Sequence, residues 1–142
     1  MAQTDPFGPA VLKHLDYIEA VIARLAGNSF LIKGWAITVA GAIYGFAVHD
    51  TDWRLALVGL LPAATFWLLD GYFLRQEWLF RSLYDAVRDP KGGVDAFCMN
   101  PRHHGAAVAS WLKVAGSWTL VWLYVPLLAV GLLLALLLAA HH

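Results

Sequence analysis

Two long apolar runs, separated by only a short polar break, constrain this chain more than any other feature. The first runs from Phe30 to Val48, and the second from Trp53 to Leu69. His49, Asp50, Thr51 and Asp52 lie between them, and Asp70 closes the second. A helix of about 20 residues, the length of each run, spans roughly 30 Å, the thickness of a bilayer's hydrocarbon core. The pattern therefore predicts two membrane-crossing helices joined by a tight turn. Composition agrees. Hydrophobic residues make up 60% and charged residues 14% of the 142, against about 45–50% and 25% in soluble domains. The surplus sits in blocks, as a membrane protein requires.

A third block follows. Val114 to Ala140 carries no charge at all. Trp118, Trp122 and Tyr124 crowd its start, and leucine and alanine fill the rest. This reads as a third span, with a kink expected at Pro126 as at Pro62 in the second. The predicted fold class is all-α: an integral membrane protein with three transmembrane helices and amphipathic cytosolic helices.

The flanking segments have a different texture. From Pro6 to Ala26, Val11, Leu15, Ile18, Ile22 and Leu25 are spaced 4, 3, 4, 3, an amphipathic seam. Gly27 suits the end of that helix, and Asn28 or Ser29 the cap of the next. Beyond Asp70, apolar residues recur at helical spacing among Arg75, Glu77, Arg81, Asp85 and Arg88. Glu77–Arg81 and Arg81–Asp85 are four apart, a charge network on a helix face. Pro90, Gly92 and Gly93 should end this helix. A loop to Gly105 holds Cys98, His103 and His104, and residues 106–116 read as a short helical lead-in to the third span. The organisation expected is thus an N-terminal helix (1–28), a membrane hairpin (29–70), a helix-loop-helix (71–116) and the third span (117–140). His141 and His142 resemble the start of a purification tag and are set aside.

Basic residues predict orientation. The N-terminal arm and the 71–116 segment carry nine of the ten, and the turn carries only Arg54. The N-terminus and the middle segment are therefore expected in the cytoplasm, with the turn and C-terminus outside. The stretch ahead of the first span contains Asp5, Asp16 and Glu19 and no uninterrupted apolar core. The first span is therefore expected to act as the insertion signal.

Few residues carry chemistry. Lys33 and Asp70 are almost equally distant from Thr51 along the chain, one before it and one after. That sets them level in an antiparallel hairpin. Ionisable groups in a span need a partner or a path to the interface. These two are expected to form an ion pair at the hairpin base, to snorkel, or to ring the mouth of an oligomeric pore. Gly34, Gly41 and Gly45, and Gly131 with Ala135 and Ala139, are small-residue stripes that suit close helix contact within or between chains. No deep acidic group or histidine supports proton coupling, and no HExxH motif or phosphate loop is present. Three ligands on one loop, Cys98, His103 and His104, make a poor metal site. The zero net charge gives no reason to expect nucleic acid. No enzyme activity, cofactor or metal is expected. The expected partners are the bilayer, further copies of the chain and a cytosolic protein.

Residues 10–90 carry a resemblance, in Asn28 to Trp35, Trp67 to Glu77 and Phe80 to Tyr84. The arrangement resembles small bacterial integral-membrane proteins and, broadly, the two-span effector families of anti-phage systems. The third span departs from the two-helix form of those effectors. The resemblance implies an oligomeric inner-membrane effector or pore-former, triggered by a cytoplasmic partner or signal. The residues by themselves leave open a membrane anchor that recruits a cytosolic enzyme and, less well, a small channel or transporter.

Overall fold

The computed structural model describes residues 8–141 apart from 90 and 92. Four α-helices account for most of them: α1 (Pro9–His49), α2 (Trp53–Arg88), α3 (Trp111–Ala115) and α4 (Trp118–Ala140). A 3-10 segment, Pro101–Ala107, lies between α2 and α3. No strand occurs among the described residues. The chain is all-α, and α1, α2 and α4 are long and apolar enough to cross a membrane.

The tight turn has a local cause. Asp52 caps α2 by accepting from the Arg54 amide at 2.9 Å, and its own amide donates to Ala47 O at 3.1 Å. Thr51 adopts φ 55°, a left-handed conformation that helps reverse the chain within so short a link.

α1 differs from the sequence expectation. It passes through Gly27 without a break, so the N-terminal and first membrane helices are one. An interior glycine costs about 1 kcal/mol. Here one buried face runs straight past it: His14, Ile18, Ser29, Ala36, Ala40, Tyr44 and Ala47. A cap at Gly27 would turn the two halves of that face away from α2. The helix start expected at Pro6, and the helix-ending Pro90 and Gly92, lie outside the described residues. Pro62 and Pro126 each lie inside a continuous helix, α2 and α4. The lead-in expected over 106–116 is broken. It is helical only in the 3-10 segment, which ends at Ala107, and in the short α3.

Three layers of small residues hold α1, α2 and α4 together. Ala36 packs with Leu120 and Tyr124, Ala40 and Tyr44 with Ala63, and Ala47 and Ala56 with Ala135. Alanine at these positions lets backbones approach, and such packing is the main attraction between helices in lipid. The order of the layers sets the direction of α4. It starts at the open end of the hairpin and finishes beside the turn. Turn and C-terminus therefore share one side, and the other side holds the start of α1, the end of α2 and the segment between α2 and α4.

Length separates two regions. At 23 residues α4 is about 35 Å long, a bilayer's measure. At 41 and 36 residues, α1 and α2 reach about 60 and 54 Å. The hairpin therefore overshoots α4 by roughly 20–25 Å, and the excess forms a head. In the head Ile18 and Leu83 are fully buried. The loop after α2 folds back onto α1, where the ring of buried His14 meets Cys98 O at 3.0 Å. The Phe97 ring lies 5.8 Å from that of His14. Below the head, Phe30, Trp35, Trp118 and Trp122 are 60–77% exposed. Exposed tryptophans of this kind are common near a membrane interface.

Candidate functional site

The junction of head and membrane bundle is a buried polar cluster drawn from three helices. Ser29 and Lys33 stand one turn apart on α1, Asp70 lies on α2, and Tyr124 on α4. Lys33 Nζ is 2.6 Å from Asp70 Oδ2 and donates to Ser29 Oγ at 2.7 Å. Ser29 in turn donates to Asp70 Oδ1. The Tyr124 hydroxyl donates to Asp70 Oδ2 at 3.1 Å. Asp70 has no exposed surface, whereas the Lys33 side chain is 23% exposed. One cation thus neutralises one anion, and both carboxylate oxygens are satisfied by donors. This is the condition under which a buried charge is tolerated.

Packing fixes the cluster from the side. Trp67, one turn before Asp70, stacks on the Tyr124 ring with centroids 5.9 Å apart and planes within 2°. Its indole N–H donates to Ala115 O at 2.9 Å, pinning the end of α3 to α2. Gly71 is buried beside it, and a Cβ there would rest in ordinary contact with Ala115 and Trp111, at 3.4–3.6 Å.

Depth follows from helix rise. Counted from the helix ends at the turn, His49 and Trp53, Lys33 and Asp70 each lie about 25 Å along their helices. In a hydrocarbon layer about 30 Å thick that begins at the turn, this depth is near the head-side edge. Its chemistry is that of a closed bond network. The Lys33 ammonium donates to the serine oxygen and the serine proton points at a carboxylate. That polarity is the reverse of a lysine acting as base toward a serine nucleophile.

The other residues singled out from sequence fall as follows. Gly131 and Ala135 are buried in the helix contact. A Cβ on Gly131 would overlap the Tyr44 ring and hydroxyl, and one on Gly59 would overlap the same ring. Tyr44 thus occupies a slot cut by two glycines, and its hydroxyl donates to Leu127 O at 3.2 Å. Gly34, Gly41 and Gly45 do not make the within-chain contact that was one of their two readings. An added Cβ on any of them would meet nothing within 4 Å. The alanines of the opposite face do that packing. The charge network on α2 is also smaller than expected. Arg81 places Nε and Nη2 on one oxygen of Glu77, at 2.9 and 2.7 Å. Asp85 makes no ion pair among the described residues, because the Arg81 fork turns back toward Glu77. No group of three His, Cys, Asp or Glu able to hold a metal occurs among the described residues.

Ser29 and Tyr124 were not foreseen as site residues. Ser29 carried a readable signal, four residues before Lys33 on the same face. Tyr124 carried a weaker one: it lies seven residues before Gly131, on the face of α4 that the small residues mark. The chain matches no family model, no curated protein and no solved structure.

Proposed function

We propose that the chain is a non-catalytic membrane anchor whose head holds a protein partner at the cytoplasmic face of a bacterial inner membrane. One observation carries this reading. The two hairpin helices run without a break from the far interface into the head, and the Ser29–Lys33–Asp70–Tyr124 cluster locks them to α4 where they leave the bilayer. A continuous pair of helices, fixed at its base, is a rigid post. The closed bonding of Asp70 also supports an anchor over a pore, since a carboxylate consumed inside its own chain cannot line a channel. The excess of basic residues on the head side supports a cytoplasmic head.

A second reading is an oligomeric inner-membrane effector, of the kind used in antiviral defence. The open space around Gly34, Gly41 and Gly45 favours it, because it leaves on α1 a small-residue face suited to a second helix in lipid.

One experiment separates the two: purification of the full chain from its own cells in mild detergent, with light scattering and recording of membrane potential during expression. A particle of one or two copies carrying a soluble protein at fixed stoichiometry supports the anchor. A ring of many copies without a second protein, with cells depolarised on expression, overturns it in favour of the effector.

A further inference from the structure

Arg75 and Arg102 converge on one open cavity whose other lining residues are Gln76, Leu79 and Gly105. No carboxylate is among them. The segment carrying Arg102 is seated directly on α2, since a Cβ on Gly105 would overlap Leu79. That seating brings the second guanidinium to the same cavity as the first. Arg75 is half-buried, and its Nε donates to Ala109 O at 3.4 Å. This contact leaves its terminal nitrogens for another acceptor. The nearest acid along α2, Glu77, is buried and bonded to Arg81. At about 100° per residue it lies on nearly the opposite side of the helix from Arg75. Arg102 has no ion-pair partner among the described residues.

Two like charges in one concavity repel unless an anion joins them. Guanidinium pairs match the oxygens of a phosphate group. The depth of the cavity identifies the source of that phosphate. Arg75 lies five residues beyond Asp70, about 7–8 Å further out, which is headgroup level for a bilayer whose hydrocarbon ends near the Lys33–Asp70 pair. Leu112 and Trp118, 73% and 74% exposed, lie on the adjoining α3 and the start of α4 and suit the acyl chains. We propose that Arg75, Gln76 and Arg102 form a binding site for the phosphate of an anionic phospholipid headgroup in the head-side leaflet. The site is independent of whether the head holds a protein partner.

Native mass spectrometry of the full chain in detergent, titrated with phosphatidylglycerol, phosphatidylcholine or inorganic phosphate, tests this. The wild type should retain one phosphatidylglycerol and bind it at least about tenfold more tightly than phosphatidylcholine. Arg102→Gln, at an exposed position, should weaken that binding about tenfold, the scale of one charge-assisted contact. R75Q/R102Q should abolish it, and Arg54→Gln at the turn should change nothing. Circular dichroism of each variant confirms that the fold is retained. Equal binding of phosphatidylglycerol by wild type and R102Q, or no preference for it over phosphatidylcholine, overturns the site. Competition by inorganic phosphate at equal concentration overturns its assignment to a lipid.

Discussion

The Tyr124 hydroxyl on α4 donates to the carboxylate of Asp70 on α2 at 3.1 Å, the one side-chain hydrogen bond among the described residues that ties the third span to the charged base of the hairpin. Lys33 and Ser29 reach the same carboxylate from α1, so a single side chain joins all three membrane helices. Replacing Asp70 with alanine leaves the Lys33 ammonium and the Tyr124 hydroxyl without their acceptor. Breaking a buried pair in this way costs about 3–5 kcal/mol, whereas Tyr124→Phe removes one hydrogen bond, about 1 kcal/mol. Thermal unfolding in detergent should rank the variants in that order. The double variant K33M/D70A should lose less than D70A alone, because no charge is then stranded. Equal losses in the two would exclude a coupled pair.

The glycines divide into two groups with opposite expectations. Gly59→Ala and Gly131→Ala each push a methyl group into Tyr44, and overpacking of this kind costs about 1–3 kcal/mol. The Y44A/G131A double variant should lose less than the sum of the two single losses, because the added methyl group then has room. Gly34→Ala, Gly41→Ala and Gly45→Ala meet open space and improve helix propensity. Their unfolding temperatures should stay level or rise. A fall in any of these three would show that a neighbouring molecule covers that face.

How far the sequence reached depends on what each feature needed. The hairpin and the level placement of Lys33 and Asp70 required only a count from the turn, because both arms rise by the same distance per residue. The facing of the helices required more. α1 carries small residues on two faces, Gly34/Gly41/Gly45 and Ala36/Ala40/Ala47, and nothing local distinguishes the packed from the open one. The glycine pattern is the more familiar signal, but the alanines face α2. Gly27 misled for a related reason. Its local preference for a helix end is worth about 1 kcal/mol, and the continuous buried face from His14 to Ala47 outweighs it. The rotation of α4 was legible in part: the small residues Gly131 and Ala135 mark its buried face, and Tyr124, seven residues before Gly131, lies on that same face.

Ser117 offers a test of two competing rules. It precedes α4 in the capping position, where replacing serine with alanine ordinarily costs about 1 kcal/mol. Its side chain makes no capping bond, and its hydroxyl oxygen is buried without a hydrogen-bond partner. An unpaired buried hydroxyl is itself destabilising by about 1–3 kcal/mol. Ser117→Ala should therefore leave the unfolding temperature unchanged or raise it. A drop of the size usual for a lost cap would mean that the hydroxyl does bond to the start of α4.

The orientation expected from charge is open to direct measurement. The head side carries nine of the ten basic residues and the single cysteine, Cys98. The turn offers Asp50, which is exposed, in contrast with half-buried Cys98. With the head in the cytoplasm, a membrane-impermeant maleimide should leave Cys98 unlabelled in intact spheroplasts and label it once they are lysed. In C98S/D50C the pattern should reverse, with full labelling before lysis. Labelling after denaturation controls for the partial burial of Cys98. Because turn and C-terminus share one side of the bundle, a reporter at the C-terminus must agree with D50C. Early labelling of Cys98 together with protection of D50C would invert the assignment and move the head, its basic cavity and any partner it holds to the outer face.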